Sequence, residues 1–254
     1  MTSWRIFAAS ATGKSHADRG VPCQDAFAHA LVGDVLIAVV CDGAGSARYS
    51  QAGAEFIARS VVHALSTRVG QGEELPELSC DQFEQAVASV IGLARNALQE
   101  VARAAGAGLA DYASTLVGVV ATPERGSFFH IGDGVGVAQP CDTTAVPDIS
   151  LPANGEYANE TYFVTGPHWR ERLKVLPIRQ PLRGVVLMSD GAMPFAMSKG
   201  NAGLYPPFMT PVERYLLGVA GEDEGNRALA ATLDDPRTHH ITGDDKTLLI
   251  ALRA

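Results

Sequence analysis

The chain has 254 residues, 46% of them apolar, which allows a sizeable core and argues against a disordered chain. Acidic residues (28) outnumber lysine and arginine (20), for a net charge of -8. With no basic cluster in the sequence, that balance argues against nucleic acid or an anionic membrane as partner, since both need a basic patch. Residues 4–11 read as a first strand. Thr12-Gly13-Lys14-Ser15 invites a nucleotide-binding reading, but Ala8 stands at the first glycine of a P-loop, and Gly20 and Pro22 would interrupt its helix. Gln24-Asp25-Ala26-Phe27 opens an apolar stretch to Leu31, and Gly33-Asp34 makes a turn into the apolar run 35–41.

Residues 47–69 have helical spacing through Phe56, Ile57, Val61, Ala64 and Leu65, with His63 as a packed or surface residue at the stripe's edge. After a polar connection over 71–79, residues 81–105 form a second long helix with Asp81 as its N-cap and a stripe running from Phe83 to Val101. Residues 113–121, 127–133 and 135–138 read as an antiparallel meander. Residues 140–160 lack periodicity and are expected to form a functional loop; 161–165 read as a short strand. A buried strand follows at 185–189, then an irregular stretch at 192–211, helices at 212–219 and 223–233, and a closing strand at 247–252. No linker divides the chain, so one domain over residues 1–254 is expected. Cys23, Cys41, Cys80 and Cys141 lack metal-type spacing and read as buried free thiols in a reducing compartment. No signal-peptide pattern opens the chain and no apolar segment would span a bilayer, so a soluble, cytoplasmic protein is expected.

The chemistry lies where apolar runs end in aspartate. Val39-Val40-Cys41-Asp42-Gly43, Phe129-His130-Ile131-Gly132-Asp133-Gly134 and Leu187-Met188-Ser189-Asp190-Gly191 repeat one pattern, and Asp244-Asp245 precedes the last apolar run. A carboxylate at a strand end beside a bare glycine carbonyl suits a hard cation. Clustered like charges require a counter-ion, so convergence of these strand ends implies bound cations.

In order along the chain, these fragments resemble the protein phosphatase 2C family of metal-dependent Ser/Thr phosphatases. Gln24-Asp25-Ala26 is similar to its first acidic motif, Asp42-Gly43-Ala44-Gly45 to its D-G-x-G, Ser114-Thr115-Leu116 to its G-T-T-L, Ile131-Gly132-Asp133 to its V-G-D, Ser189-Asp190-Gly191 to its S-D-G and Asp244-Asp245-Lys246-Thr247 to its terminal D-N/D-x-T. The resemblance implies an α+β fold, a four-layer α-β-β-α sandwich of two antiparallel sheets flanked by helices. It implies hydrolysis of phosphoserine and phosphothreonine in proteins by a water bridging two Mn²⁺ or Mg²⁺ ions. Asp42 would bridge the two ions, with the Gly43 carbonyl on one. Asp190 and Asp244 would hold the other, Asp25 would act through metal-bound water, and Asp133 with Asp190 would hold a third ion. The expected catalytic set is Asp42, Asp190 and Asp244. The expected partner is a phosphoprotein, opposite a Ser/Thr kinase, with the chain acting as a monomer.

Several positions depart from the family pattern, among them the glycine before Thr-Thr-Leu, replaced by Ala113 and Ser114. Ala44 stands where some members carry a histidine proposed as general acid. Gly20 stands where members usually carry a phosphate-binding arginine. Arg19 and then His16 are the expected substitutes, with Lys14 and Arg48 behind them. The Cys41–Arg48 spacing misses the C-x5-R loop of cysteine phosphatases, and a thiol among carboxylates is a poor nucleophile. The competing reading is a degenerate phosphatase-like domain that binds metal or phosphoprotein without turnover.

Overall fold

The computed structural model describes residues 4–152 and 161–253. Strand β1 (Trp4–Ala11) is followed by one helical turn, α1 (Lys14–Ala17), and then by the hairpin β2 (Ala26–Val32) and β3 (Val35–Cys41). Gly33 takes a positive φ in the hairpin turn, a conformation glycine adopts without steric cost. Two long helices follow, α2 (Ser50–Gly70) and α3 (Cys80–Ala104). The cap of α3 is Ser79 and not Asp81: its hydroxyl accepts from the Gln82 amide while the Gln82 side chain accepts from the Ser79 amide. This S-x-x-Q box meets two otherwise unpaired amides and contributes about 1 kcal/mol.

Strands β4 (Leu116–Ala121), β5 (Gly126–Ile131) and β6 (Val135–Pro140) come next, then a short strand, β7 (Asp148–Ser150). The expected meander is corrected here. β4 and β5 pair, but the chain then crosses to the other sheet, where β6 pairs with β9 (Leu182–Met188) and β7. Residues 161–165 form turns and not a strand. The strand of that region is β8 (Lys174–Ile178), preceded by the turn of helix α4 (Trp169–Arg172). Part of the loop expected over 140–160 is thus β7, and its residues 153–160 lie outside the described residues. The stretch 192–211 is largely helical: α5 (Met193–Ala196) is followed by α6 (Pro206–Gly218), whose Pro206 and Pro207 occupy the first turn, where a missing N–H costs nothing. Helices α7 (Glu222–Leu233) and α8 (Pro236–Ile241) lead to β10 (Lys246–Arg253).

The strand orders are β1-β10-β9-β6-β7 and β2-β3-β4-β5-β8, and every pairing is antiparallel. Side chains alternate between faces, so one strand serves two cores. Leu36, Ala38 and Val40 of β3 pack with Leu249 and Ala251 of β10 between the sheets. Ile37, Val39 and Cys41 point the other way, under Ile57 and Val61 of α2 and Phe83 of α3. On the opposite flank Leu248 and Ile250 of β10 pack with Leu216 of α6 and Leu229 of α7. The result is helix, sheet, sheet, helix. Both sheets are buried on two faces, which is why their strands read as continuous apolar runs.

Register brings the functional strand ends together. Ala26 pairs with Cys41, so the start of β2 lies beside the end of β3. Leu248 pairs with Met188 and Ala11 with Lys246, so the ends of β9 and β1 flank the start of β10. Among the described residues no helix is long and apolar enough to cross a membrane. All four cysteines are unpaired; Cys41 is buried, but Cys80 and Cys141 are exposed, against the expectation of uniform burial.

Candidate metal centre

Asp42, Asp133 and Asp190 each direct a carboxylate oxygen into one space, those atoms lying within 4.8 Å of one another. The three come from the ends of β3, β5 and β9. Asp42 is fixed through its backbone: its N–H donates to Thr115 Oγ1 (3.0 Å), and its carbonyl accepts from the Thr115 N–H (2.8 Å). Thr161 Oγ1 donates to Asp133 Oδ2 at 2.7 Å. The cleft above has a volume of about 560 Å³, and Asp42, Gly43, Asp133 and Asp244 line it together with His16 and Arg19.

Asp25 is buried at the start of β2. Its Oδ2 accepts from Ser189 Oγ (2.7 Å) and Thr247 Oγ1 (2.8 Å). Among the described residues Asp25 Oδ1, Asp133 Oδ1 and Asp190 Oδ1 are buried with no donor. A buried carboxylate oxygen without a donor costs free energy, and here three stand in one neighbourhood. Burial, above all, pushes the Asp25 carboxyl up to about 7; the Ser189 and Thr247 hydroxyls pull it down, and Asp245 and Asp190 push it further up. Burial and the repulsion of Asp133 likewise raise Asp190 to about 6. Asp42 is raised well above its ordinary value by burial, then by Asp25 and Asp190. Left alone, each of these groups gives up its proton less readily than an ordinary carboxyl. Cations would meet the orphaned oxygens and relieve the repulsion, and the donors are oxygens throughout, so the site fits hard divalent ions.

Asp245 is the neighbour that does not fit that description. It is 2% exposed, and both its oxygens are supplied by the protein. Oδ1 accepts from the Gly13 N–H (2.6 Å) and Oδ2 from the Gln24 N–H (2.6 Å), and His16 Nδ1 stands 2.9 Å from Oδ2. Asp245 thus ties the loop after β1 and the approach to β2 onto the start of β10. Gly13 is required there, since a Cβ would collide with the Asp244 backbone. This explains Thr12-Gly13-Lys14-Ser15 as a packing turn, with Ser15 N–H on the Gly243 carbonyl (2.9 Å).

Of the phosphate-binding expectations, Arg19 and His16 line the cleft, whereas Lys14 and Arg48 do not. Lys14 pairs with Asp18 at 2.7 Å, and Arg48 stacks on Tyr49. Arg19 is exposed, its Nε donating to the Ser15 carbonyl (2.8 Å), and Gly20 has a positive φ. The Cys41 thiol is pushed up by burial and by Asp25 and Asp42, which removes it as a nucleophile. The sequence reading assigned no role to Thr115, Thr161, Ser189, Thr247 or Asp245. Four of these lie inside the quoted motifs; Thr161 lies outside them and carries no local signal.

The profile of the protein phosphatase 2C family matches residues 12–234. The chain is 30% identical over 259 residues to Serine/threonine-protein phosphatase 3 of Escherichia coli (strain K12), covering 99% of each chain. It is similar in fold to the crystal structure of a bacterial serine phosphatase (TM-score 0.62, 16% identity, 100% of this chain and 98% of that one). Serine/threonine phosphatase Stp1 from Staphylococcus aureus is similar too, with TM-score 0.59, 17% identity and coverage of 100% and 96%.

Proposed function

Because the chain belongs to the protein phosphatase 2C family, we propose that it hydrolyses phosphoserine and phosphothreonine in proteins with divalent cations held at Asp42, Asp133 and Asp190. The observation that carries this reading is the convergence of those three carboxylates, two of which, Asp42 and Asp133, line an open polar cleft. Asp244 and the Gly43 carbonyl complete the ligand set, and Asp25 acts from behind it. Mn²⁺ or Mg²⁺ suits an all-oxygen site; Asp42, Asp190 and Asp244 would hold two such ions, and Asp133 with Asp190 would hold a third. Such cations would supply an acidified, oriented water and offset charge on the phosphoryl oxygens.

The chain's own residues position the rest. Thr115 fixes the backbone at Asp42, Thr161 orients Asp133, and Ser189 with Thr247 holds Asp25. Arg19, which lines the cleft, would give the phosphate a charged donor. His16, the second phosphate candidate, has Nδ1 2.9 Å from Asp245 Oδ2 and Nε2 on the side of Gly45. We read the chain as one phosphatase domain that acts as a monomer on a phosphoprotein made by a Ser/Thr kinase.

The test is hydrolysis of a phosphothreonine peptide and of 4-nitrophenyl phosphate, with Mn²⁺ or Mg²⁺ and with EDTA. Turnover with metal and none in EDTA is expected. Metal binding without turnover on either substrate would establish the degenerate domain instead.

A further inference from the structure

We propose that His16, oriented by Asp245, is the proton donor to the serine or threonine oxygen that leaves phosphorus. The proposal rests on the phosphatase reading above and adds a catalytic residue to it.

Hydrolysis of an alkyl phosphate produces an alkoxide, a strongly basic leaving group that must be protonated as it departs. The carboxylates lining the cleft are acceptors, and those that would hold cations have no proton to give. Its serine and threonine hydroxyls are too weakly acidic, and the Arg19 guanidinium does not give up its proton in proteins. Among the described residues lining the cleft, His16 alone carries an imidazole, a ring that can both give and take a proton.

Its setting matches that task. The ring is 7% exposed, which locks it among its neighbours. Nδ1 stands 2.9 Å from Asp245 Oδ2, and Asp245 is itself fixed by the Gly13 and Gln24 amides. A carboxylate beside one ring nitrogen favours one orientation of the ring, leaving the other nitrogen to do the chemistry. That other nitrogen, Nε2, faces Gly45, 3.8 Å from where a side chain there would begin. Gly45 and Ala44 are small, and both line the cleft together with His16 and Asp42. Position 44 carries no histidine, and α1 supplies one to the same cleft.

In the step, the oxygen of the attacking water bonds to phosphorus while the bond from phosphorus to the side-chain oxygen breaks. The electron pair of the broken bond stays on that oxygen, which takes the proton from Nε2. The products are the free alcohol and phosphate. The proton lost by the water goes to solvent, and Nε2 takes one back from solvent.

The experiment compares full-length wild type, His16→Gln and Asp245→Asn at saturating Mn²⁺ on a phosphothreonine peptide and on aryl phosphates of graded leaving-group acidity. Nitrophenolate leaves without a proton, so the role predicts a split. His16→Gln should lower kcat on the peptide by about a hundredfold to ten-thousandfold, the usual range for a lost acid, and on 4-nitrophenyl phosphate at least tenfold less. Asp245→Asn, the positioning residue, should show the same split at smaller size. Equal losses on both substrates, or no loss on the peptide, would overturn the proposal and leave His16 as a structural or phosphate-holding residue. Should a variant fail to fold, wild type alone decides: a shallow dependence on leaving group supports a donor, and a slope as steep as uncatalysed hydrolysis overturns it. Wild type inactive on every substrate would instead bring down the phosphatase reading beneath it.

Discussion

Asp245 and Asp42 sit at the same end of the same sandwich, yet the chain equips them oppositely. Asp245 receives two backbone N–H groups, one on each oxygen, and has His16 Nδ1 2.9 Å from Oδ2, so both its oxygens are met by the protein. Asp42, Asp133 and Asp190 face one another, with Asp133 Oδ1 and Asp190 Oδ1 lacking any donor among the described residues. The difference separates an aspartate that builds the site from aspartates that need charge from outside. A count of acidic residues would merge the two kinds; the tally of donors on each oxygen does not.

The sharpest way to break that comparison is to neutralise one member of each kind. Asp42→Asn should reduce kcat at least about a thousandfold, because it removes the carboxylate central to the cluster. It should also raise the Tm of the metal-free protein, because it removes repulsion. A lower metal-free Tm would place Asp42 with Asp245 among the structural residues. Asp245→Ala should act through the fold, costing about 3 kcal/mol in urea denaturation by stranding two buried amides.

A pH series separates the two kinds without mutation. The folded-state values of Asp25 (about 7) and Asp190 (about 6) lie above the ordinary carboxylate value of 3.8. Between those limits the folded chain binds more protons than the unfolded one, so this stability is present at low pH and lost as pH rises toward 7. His130 works the other way. Burial lowers it to about 3, so its contribution is complete above about 6.5 and is lost as pH falls. In EDTA the Tm should therefore fall as pH rises from about 6 to 7.5, and Mn²⁺ should abolish that fall. A metal-free Tm that climbs over this interval would contradict the unneutralised cluster.

Smaller effects refine the rim. Arg19→Ala should lower kcat/KM about tenfold to a thousandfold on both peptide and aryl phosphate, with the Mn²⁺ requirement unchanged. Thr161→Val, which removes the donor on Asp133 Oδ2, should shift the Mn²⁺ concentration for half-maximal activity by about tenfold or less.

Much of this site was legible because strands buried on both faces end abruptly, and Asp-Gly marks where Val35–Cys41 and Gly126–Ile131 leave the core. The long helices were legible for a related reason: each lays an apolar stripe on a sheet. The opposite flank was harder to read. Its helices are short, and Pro206-Pro207 looks like a breaker until it is seen in a first turn. β8 contains Pro177, which an edge strand tolerates and a pattern search rejects. The capping box at Ser79 was present in the sequence, but Asp81 competed with it. Nothing local distinguishes Asp244 from Asp245; the distinction depends on where Gly13, His16 and Gln24 arrive from more than two hundred residues away.

Calorimetric titration of Mn²⁺ into the metal-stripped chain and its variants tests the central claim most directly. The account predicts that Asp42→Asn weakens binding by more than about a hundredfold, beyond the usual cost of an outer residue, and that Asp245→Asn weakens it by no more than about tenfold. Wild-type affinity in Asp42→Asn, or an equal loss in both variants, would contradict it.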